Sequence, residues 1–217
     1  MNQFKTTSLA DQVFERLEND IIQGAYPRGE ILTELRLAEE LGVSRTPIRE
    51  ALRRLEQEHL IEVAGKGSKV LGITEDDLMD IMTIRERVEG VAAYYATKNM
   101  TPEGLKELTD IVDLQDFYFA REDSEHLNQV DDRFHDAICR LSNRAVLIDT
   151  LVPLLRKTRR YRKRSLENRS RTTNTKQEHF AIYQAIASGD AQLAEKLTAQ
   201  HIANAKAHMM KGMKDNG

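Results

Sequence analysis

The chain has 217 residues, of which 31% are charged and only 6% aromatic, with a formal net charge of −3. That length suits one or two domains with a sizeable core, and the composition suits a helix-rich protein. Cys139 stands alone, so no disulfide framework exists within the chain, and no run approaches the ~20 apolar residues that span a bilayer. The start, MNQFKTTSLADQVF, lacks the basic-then-apolar order of a secretory signal, so a cytoplasmic protein without a membrane partner is expected.

In chain order, Leu9, Val13, Leu17, Ile21 and Ile22 recur at helical spacing and predict a first helix ending near Gly24. Tyr26-Pro27-Arg28-Gly29 reads as a turn. Leu35, Leu37, Ala38 and Leu41 form the apolar stripe of a second helix, with Gly42 placed to end it in a left-handed conformation. Val43 packs in the turn and Ser44 is a natural N-cap for a third helix, whose first turn tolerates Pro47. Ile48, Ala51, Leu52 and Leu55 face inward on that helix, while Arg45 and Arg49 share one face with Thr46 beside them. Ile61-Glu62-Val63 and Ser68-Lys69-Val70 alternate around Gly65-Lys66-Gly67, which predicts a hairpin with a three-residue tip.

Helix, tight turn, second helix and glycine-tipped hairpin is the order of a winged helix-turn-helix, which presents the start of its second helix to the major groove of double-stranded DNA. An arginine fork bonds both acceptors of a guanine edge, which points to Arg45 and Arg49 as base readers. Arg53 and Arg54 lie deeper along the helix and are expected to serve phosphate, and Lys66 to reach backbone or minor groove. Four arginines on an arbitrary helix form only a solvated face; here turn, cap and hairpin agree on the DNA reading. Residues 1–72 carry ten Lys/Arg against twelve Asp/Glu, so any positive field is local and non-specific affinity modest.

Leu71-Gly72-Ile73 reads as a short linker between a DNA-binding domain over 1–72 and an all-α domain over 73–217. Thr74 caps a new helix with Glu75, Asp76 and Asp77 in its first turn. Six helices are predicted, near 75–99, 102–121, 124–141, 144–168, 175–188 and 190–211, and antiparallel-capable helices of this length make a bundle. Asp131 and His135 sit four apart on one helix face, His179 begins a core-facing run with Ile182, Ala185 and Ile186, and His201 lies on the last helix. Three imidazoles and a carboxylate suit zinc, nickel or a similar divalent ion. Each histidine alone is more often an ordinary core or surface residue, and His59, His126 and His208 are read that way.

Leu9 to Val70 resembles the winged-helix domain of GntR-type bacterial transcription regulators. The matching residues are Ile22-Gln23-Gly24, Leu37-Ala38-Glu39, the run from Gly42 to Leu52 and Gly67, with a departure at Leu35-Arg36. The resemblance implies Ser44, Arg45, Thr46 and Arg49 as groove readers and Gly67 at the wing tip. The remainder resembles the FCD domain of one large group of these regulators. It does so through Arg85 to Glu89, Asp131 to His135, Ser142-Asn143, Glu178 to Ile182, Ala187 to Asp190 and His201. Six helices place it nearer the VanR-like subgroup than the FadR-like one.

That resemblance implies a divalent metal held by Asp131, His135, His179 and His201, with a small carboxylate effector beside it. It further implies a homodimeric repressor on a near-palindromic operator. Arg85 reads either as an intrahelical ion pair with Glu89 or as a bidentate clamp on the effector's carboxylate. Arg156 to Arg164 carries seven basic residues in nine, expected to divide between the effector anion and acidic surface or DNA phosphate. The rival reading is a metal-dependent enzyme, against which no general base stands near: Glu178 points about 100° from His179 on the helix.

Overall fold

The computed structural model describes residues 8–166 and 169–214. They fall into two units, divided between Glu75 and Asp76.

In the first unit, α1 (Leu9–Gln23) opens on a capping box. The Ser8 hydroxyl accepts from Asp11 N at 3.1 Å while the Asp11 carboxylate accepts from Ser8 N at 3.2 Å. Gly24 closes the helix at φ 81°. The following turn docks on the wing, where Gly29 N donates to Val70 O at 2.8 Å. Strand β1 (Ile31–Leu32) leads through the Thr33 cap into α2 (Glu34–Leu41), and Gly42 at φ 65° turns the chain into α3 (Arg45–Gln57). Strands β2 (Ile61–Ala64) and β3 (Gly67–Val70) complete an antiparallel sheet of order β1-β3-β2. Leu17, Leu32, Leu37, Ile48, Leu55 and Leu60 fill its core.

Four local expectations need correction. The sequence reading missed β1, because two residues carry no periodicity; its pairing of Ile31 with Lys69 and Leu32 with Ser68 is a tertiary event. The hairpin tip has two residues, Gly65 and Lys66, because Ala64 pairs directly with Gly67. Gly65 at φ 59° supplies the positive φ that a glycine-first hairpin turn needs. Leu35 does not join the apolar stripe of α2; it is 60% exposed, on the side of the helix away from the core. Arg54 is held within the unit, 2.6 Å from Asp11 Oδ1 and stacked 3.9 Å over the Phe14 ring, rather than directed to phosphate.

Gly67 is therefore not the tip but the first residue of β3, lying close against β1. A Cβ there would lie 2.6 Å from Leu32 O and 2.8 Å from Ile31 Cγ2. Gly67→Ala must push backbone aside and is expected to cost ~1–3 kcal/mol, read as a lower midpoint in urea unfolding. An unchanged midpoint would show that β1 yields freely.

The second unit is helical throughout its described residues. It comprises α4 (Glu75–Lys98), α5 (Pro102–Ala120), α6 (Ser124–Leu141), α7 (Ala145–Leu166), α8 (Arg169–Ala187) and α9 (Ala191–Lys214). Thr101 caps α5 and Asp123 caps α6, while Asn143 at φ 52° and Gly189 at φ 77° make the left-handed exits before α7 and α9. Helix α5 packs on α6 and α8, α6 on α7, and α8 on α9. Val130, Phe134, Ile138, Ile182 and Ile186 lie at the centre of this core. A Cβ on Gly90 would meet Glu195 O at 2.8 Å, so its absence lets α9 approach α4 closely.

Helix α8 begins at Arg169, six residues before the expected start. The polar run Thr172 to Thr175 looked like a break, yet Thr172 and Thr175 are buried in the bundle. Tertiary packing outweighs the weak helix preference of threonine. Among the described residues no helix is long and apolar enough to cross a membrane.

Candidate nucleic-acid interface and candidate metal centre

At the N-terminal end of α3, Ser44 occupies the cap position but its side chain makes no capping bond, and Ser44, Arg45, Thr46 and Arg49 are all exposed. The helix geometry that aligns Arg45 with Arg49 also aligns both with Glu34 on α2. Arg45 Nη2 and Nε reach Glu34 Oε2 at 2.8 and 3.1 Å, and Arg49 bonds Oε1 through Nε at 2.7 Å and Oε2 through Nη2 at 2.8 Å. The Arg49 bond, then the Arg45 bond, hold the Glu34 carboxyl down to about 2. One carboxylate thus fixes two guanidinium planes on an exposed surface. Arg53, Leu35, Val63 and the hairpin residues Lys66 and Gly67 border the same shallow cleft. Glu34 escaped the sequence reading because eleven residues separate it from Arg45, a distance only the folded turn closes.

In the second unit the structure brings His135 from α6, His179 from α8 and His201 from α9 together, all buried. His179 Nε2 lies 3.3 Å from His201 Nε2, which lies 3.4 Å from His135 Nε2. Each outward Nδ1 has its own partner: Glu89 Oε2 for His135 at 2.9 Å, Glu178 Oε2 for His201 at 2.6 Å, and the Gln115 amide for His179 at 3.1 Å. An ionised carboxylate only accepts, so His135 and His201 carry a proton on Nδ1, which in the neutral tautomer leaves the Nε2 lone pair turned inward. Gln115 turns its Nε2 to His179 Nδ1 at 3.1 Å; exchanging the nearly isosteric ends of that amide gives His179 the same arrangement.

Lone pairs this close repel unless a cation or a proton lies between them, so the donor set fits a divalent ion. Asp131 stands beside this cluster rather than at its tightest point. Its Oδ1 is 3.7 Å from His179 Nε2, and its buried Oδ2 has no hydrogen-bond partner, with Arg162 Nε 3.7 Å away. Glu178 is not a base directed at the cluster; it orients His201 from behind.

Burial, then the charges of His201 and His135, push His179 well below its ordinary value of 6.5. Burial also lowers His201, partly opposed by its bond to Glu178. The folded state therefore refuses protons that the unfolded chain accepts below about pH 6.5. Metal-free protein is expected to keep full stability above that pH and to lose up to about 1.4 kcal/mol per pH unit per histidine below it. Urea unfolding from about pH 7.5 to 5.5 measures this, and a flat profile would mean that the imidazoles are not held neutral.

Against the histidines lies a cavity of about 20 Å³, lined by Arg85, Arg162, Arg171, Asp131 and Thr175 among others, with room for roughly a water molecule. Arg85 is 1% exposed. It makes the expected ion pair with Glu89 through Nε, donates through Nη1 to Thr158 Oγ1 at 2.8 Å, and leaves Nη2 without a hydrogen-bond partner. Arg162 Nη2 bonds Asp132 Oδ1 while its Nη1 has no partner. Within the basic run, Arg159 also turns to Asp132, at 3.3 Å, and to Asp136, at 3.6 Å. The side chains of Arg160, Lys163 and Arg164 lie outside the described residues. The sequence reading did not single out Arg171, Gln115 or the second role of Glu89; only the packing of three helices reveals them.

Residues 9–70 match the family of bacterial regulatory proteins named gntR, and residues 80–204, more than half of the chain, match the FCD domain. The chain belongs to the GntR family. The HTH-type transcriptional regulator McbR of Escherichia coli (strain K12) is 33% identical over 151 residues, covering 69% of this chain and 68% of McbR. The solved structure of E. coli McbR/YncC matches with a TM-score of 0.80 at 26% identity, over 96% of this chain and 100% of that one. The gluconate operon transcriptional repressor of Bacillus licheniformis is 31% identical over 128 residues, 59% of this chain, which spans 53% of that repressor's length. This GntR protein is a transcription regulator with an FCD domain. Its families and relatives are regulators rather than enzymes, so the metalloenzyme reading of the bundle falls.

Proposed function

We propose that this GntR regulator is a homodimeric, operator-binding repressor whose DNA affinity is set by a small organic acid held beside a divalent cation. The observation that carries the effector half is one cavity bordered both by converging imidazole nitrogens and by buried arginines with unpaired N–H groups. His135, His179 and His201 would hold the cation, with Asp131 completing the set. Nitrogens 3.3 and 3.4 Å apart match the ~3.4 Å edge of a tetrahedron built on bonds of ~2.0–2.1 Å, which favours zinc. The bound cation supplies a Lewis-acid contact for one carboxylate oxygen. Arg85 Nη2 and Arg162 Nη1 would take the other. Asp131 and the paired glutamates balance the buried charge.

Ser44, Arg45, Thr46 and Arg49 would read the major groove, with Lys66 and Gly67 of the hairpin alongside. Two copies would meet two half-sites of a near-palindromic operator. Effector and operator must then be linked: whatever factor the acid imposes on DNA affinity, DNA imposes on affinity for the acid.

The test selects bound DNA from a random pool, then titrates the selected duplex by fluorescence anisotropy with zinc alone, each organic acid alone, and both. The reading requires a selected motif with two symmetric half-sites and an affinity that changes only when zinc and an acid are both present. A motif whose affinity no combination moves would leave a DNA-binding protein without the proposed control.

A further inference from the structure

Two of the three histidines share their outer partner with an arginine that borders the cavity. Glu89 takes the Nδ1 proton of His135 on Oε2 and the Nε–H of Arg85 on Oε1. Glu178 takes the Nδ1 proton of His201 on Oε2 at 2.6 Å and faces Arg171 Nη1 at 3.0 and 3.2 Å, with Asn204 donating to Oε1 at 2.8 Å. His179 alone has a neutral partner, Gln115. All three links are short, and Arg85, Glu89, His135, His201 and Arg171 are buried. Two chains of alternating charge therefore run from the cavity wall to the imidazole nitrogens: arginine, glutamate, histidine.

We propose that Glu89 and Glu178 are positioning residues that make the anion and the cation bind cooperatively, beyond any direct contact between the two ligands. The inference rests on the metal-and-acid reading above. A glutamate whose charge is met by a guanidinium is a weakened acceptor for the histidine N–H. An anion at Arg85 Nη2 or beside Arg171 offsets that guanidinium's charge, so more of the glutamate's charge falls on the imidazole. The more strongly a carboxylate holds Nδ1–H, the more basic Nε2 becomes as a ligand. The same coupling runs backwards: a cation on Nε2 draws on the glutamate and leaves the guanidinium more in need of an anion. Either ligand alone leaves one end of the buried chain unbalanced, and an unbalanced buried charge is strongly penalised. No side chain has to change place for this to operate.

The experiment measures zinc affinity of the full chain by competition with a chromophoric chelator. Acetate is the anion, being a small carboxylate that chelates zinc weakly, and chloride at equal ionic strength is the control. Zinc affinity of the wild type should rise about 5- to 150-fold with acetate, the usual range of coupling between sites. Glu89→Gln and Glu178→Gln keep side-chain shape but remove the charge. Each should weaken zinc about 10- to 100-fold and reduce the acetate effect sharply. Gln115→Leu, at the histidine with the neutral partner, should weaken zinc yet keep the acetate effect whole.

Glu178 is the more exposed of the two, so Glu178→Gln stands as the decisive variant if Glu89→Gln does not fold. If both glutamine variants retain the full acetate effect, acetate acts by touching zinc directly and the coupling role is refuted, while the metal reading stands. No acetate effect in the wild type likewise refutes it. A wild type that does not bind zinc at all removes the metal reading itself.

Discussion

Arg49→Ala is expected to lower affinity for the selected operator by about 5- to 150-fold, the ~1–3 kcal/mol that a bidentate guanine contact contributes. Arg45→Ala is expected to do the same, with the loss confined to DNA carrying the selected bases. A uniform loss on all sequences would demote either residue to a phosphate contact. The clamp on Glu34 adds a second expectation from the same titrations. In the free protein both guanidiniums share that carboxylate, which holds their planes and also repels phosphate. Glu34→Gln should therefore raise affinity for random DNA and steepen its dependence on salt, while the ratio of specific to random binding falls. An unchanged ratio would mean that the arginines find their bases without being held.

The larger effect belongs to the histidines. On the proposed metal site, zinc at a thousandfold excess over its dissociation constant is expected to stabilise the wild type by about 4 kcal/mol, since it would bind only the folded state. For a chain of this size that raises Tm by roughly 8–16 °C. His179→Leu removes one of the three proposed imidazole ligands, and the gain should vanish. Leucine keeps an apolar body against the Phe134 ring, whose centroid is 4.1 Å from that of His179. The variant should therefore fold without metal and lose less stability in acid than the metal-free wild type, since one buried imidazole no longer refuses a proton. Thermal melts with and without zinc, near neutrality and at about pH 5.5, test both halves. A zinc-dependent gain that survives the substitution would place the ion elsewhere.

The division between what was legible and what was not follows the range of the interactions involved. Periodicity, caps and turn residues act within a few positions, so the helices of both units, the Gly42 turn and the exposed Arg45–Arg49 pair stood plain in the linear pattern. Even Asp131 and His135 were found, because a helix makes neighbours of residues four apart. The expectation of a helix starting at Thr175 failed where packing overrode a weak local preference, and β1 was missed because two residues have no period.

By itself, then, the order of residues determined the secondary elements, the family, and which side chains were chemically able to serve. Only the tertiary structure decided the partners. It set Glu34 against two arginines, gave each histidine its own outer partner, and closed Arg85 and Arg171 around one cavity with His135 and His201. The hydrogen-bonded pairs among these join residues 11 to 64 positions apart, and charge or hydrogen-bonding capacity can be read from a residue type while its partner across such a distance cannot. Burial adds the rest: it disfavours the protonated forms of His179 and His201 and makes each buried charge depend on the one beside it.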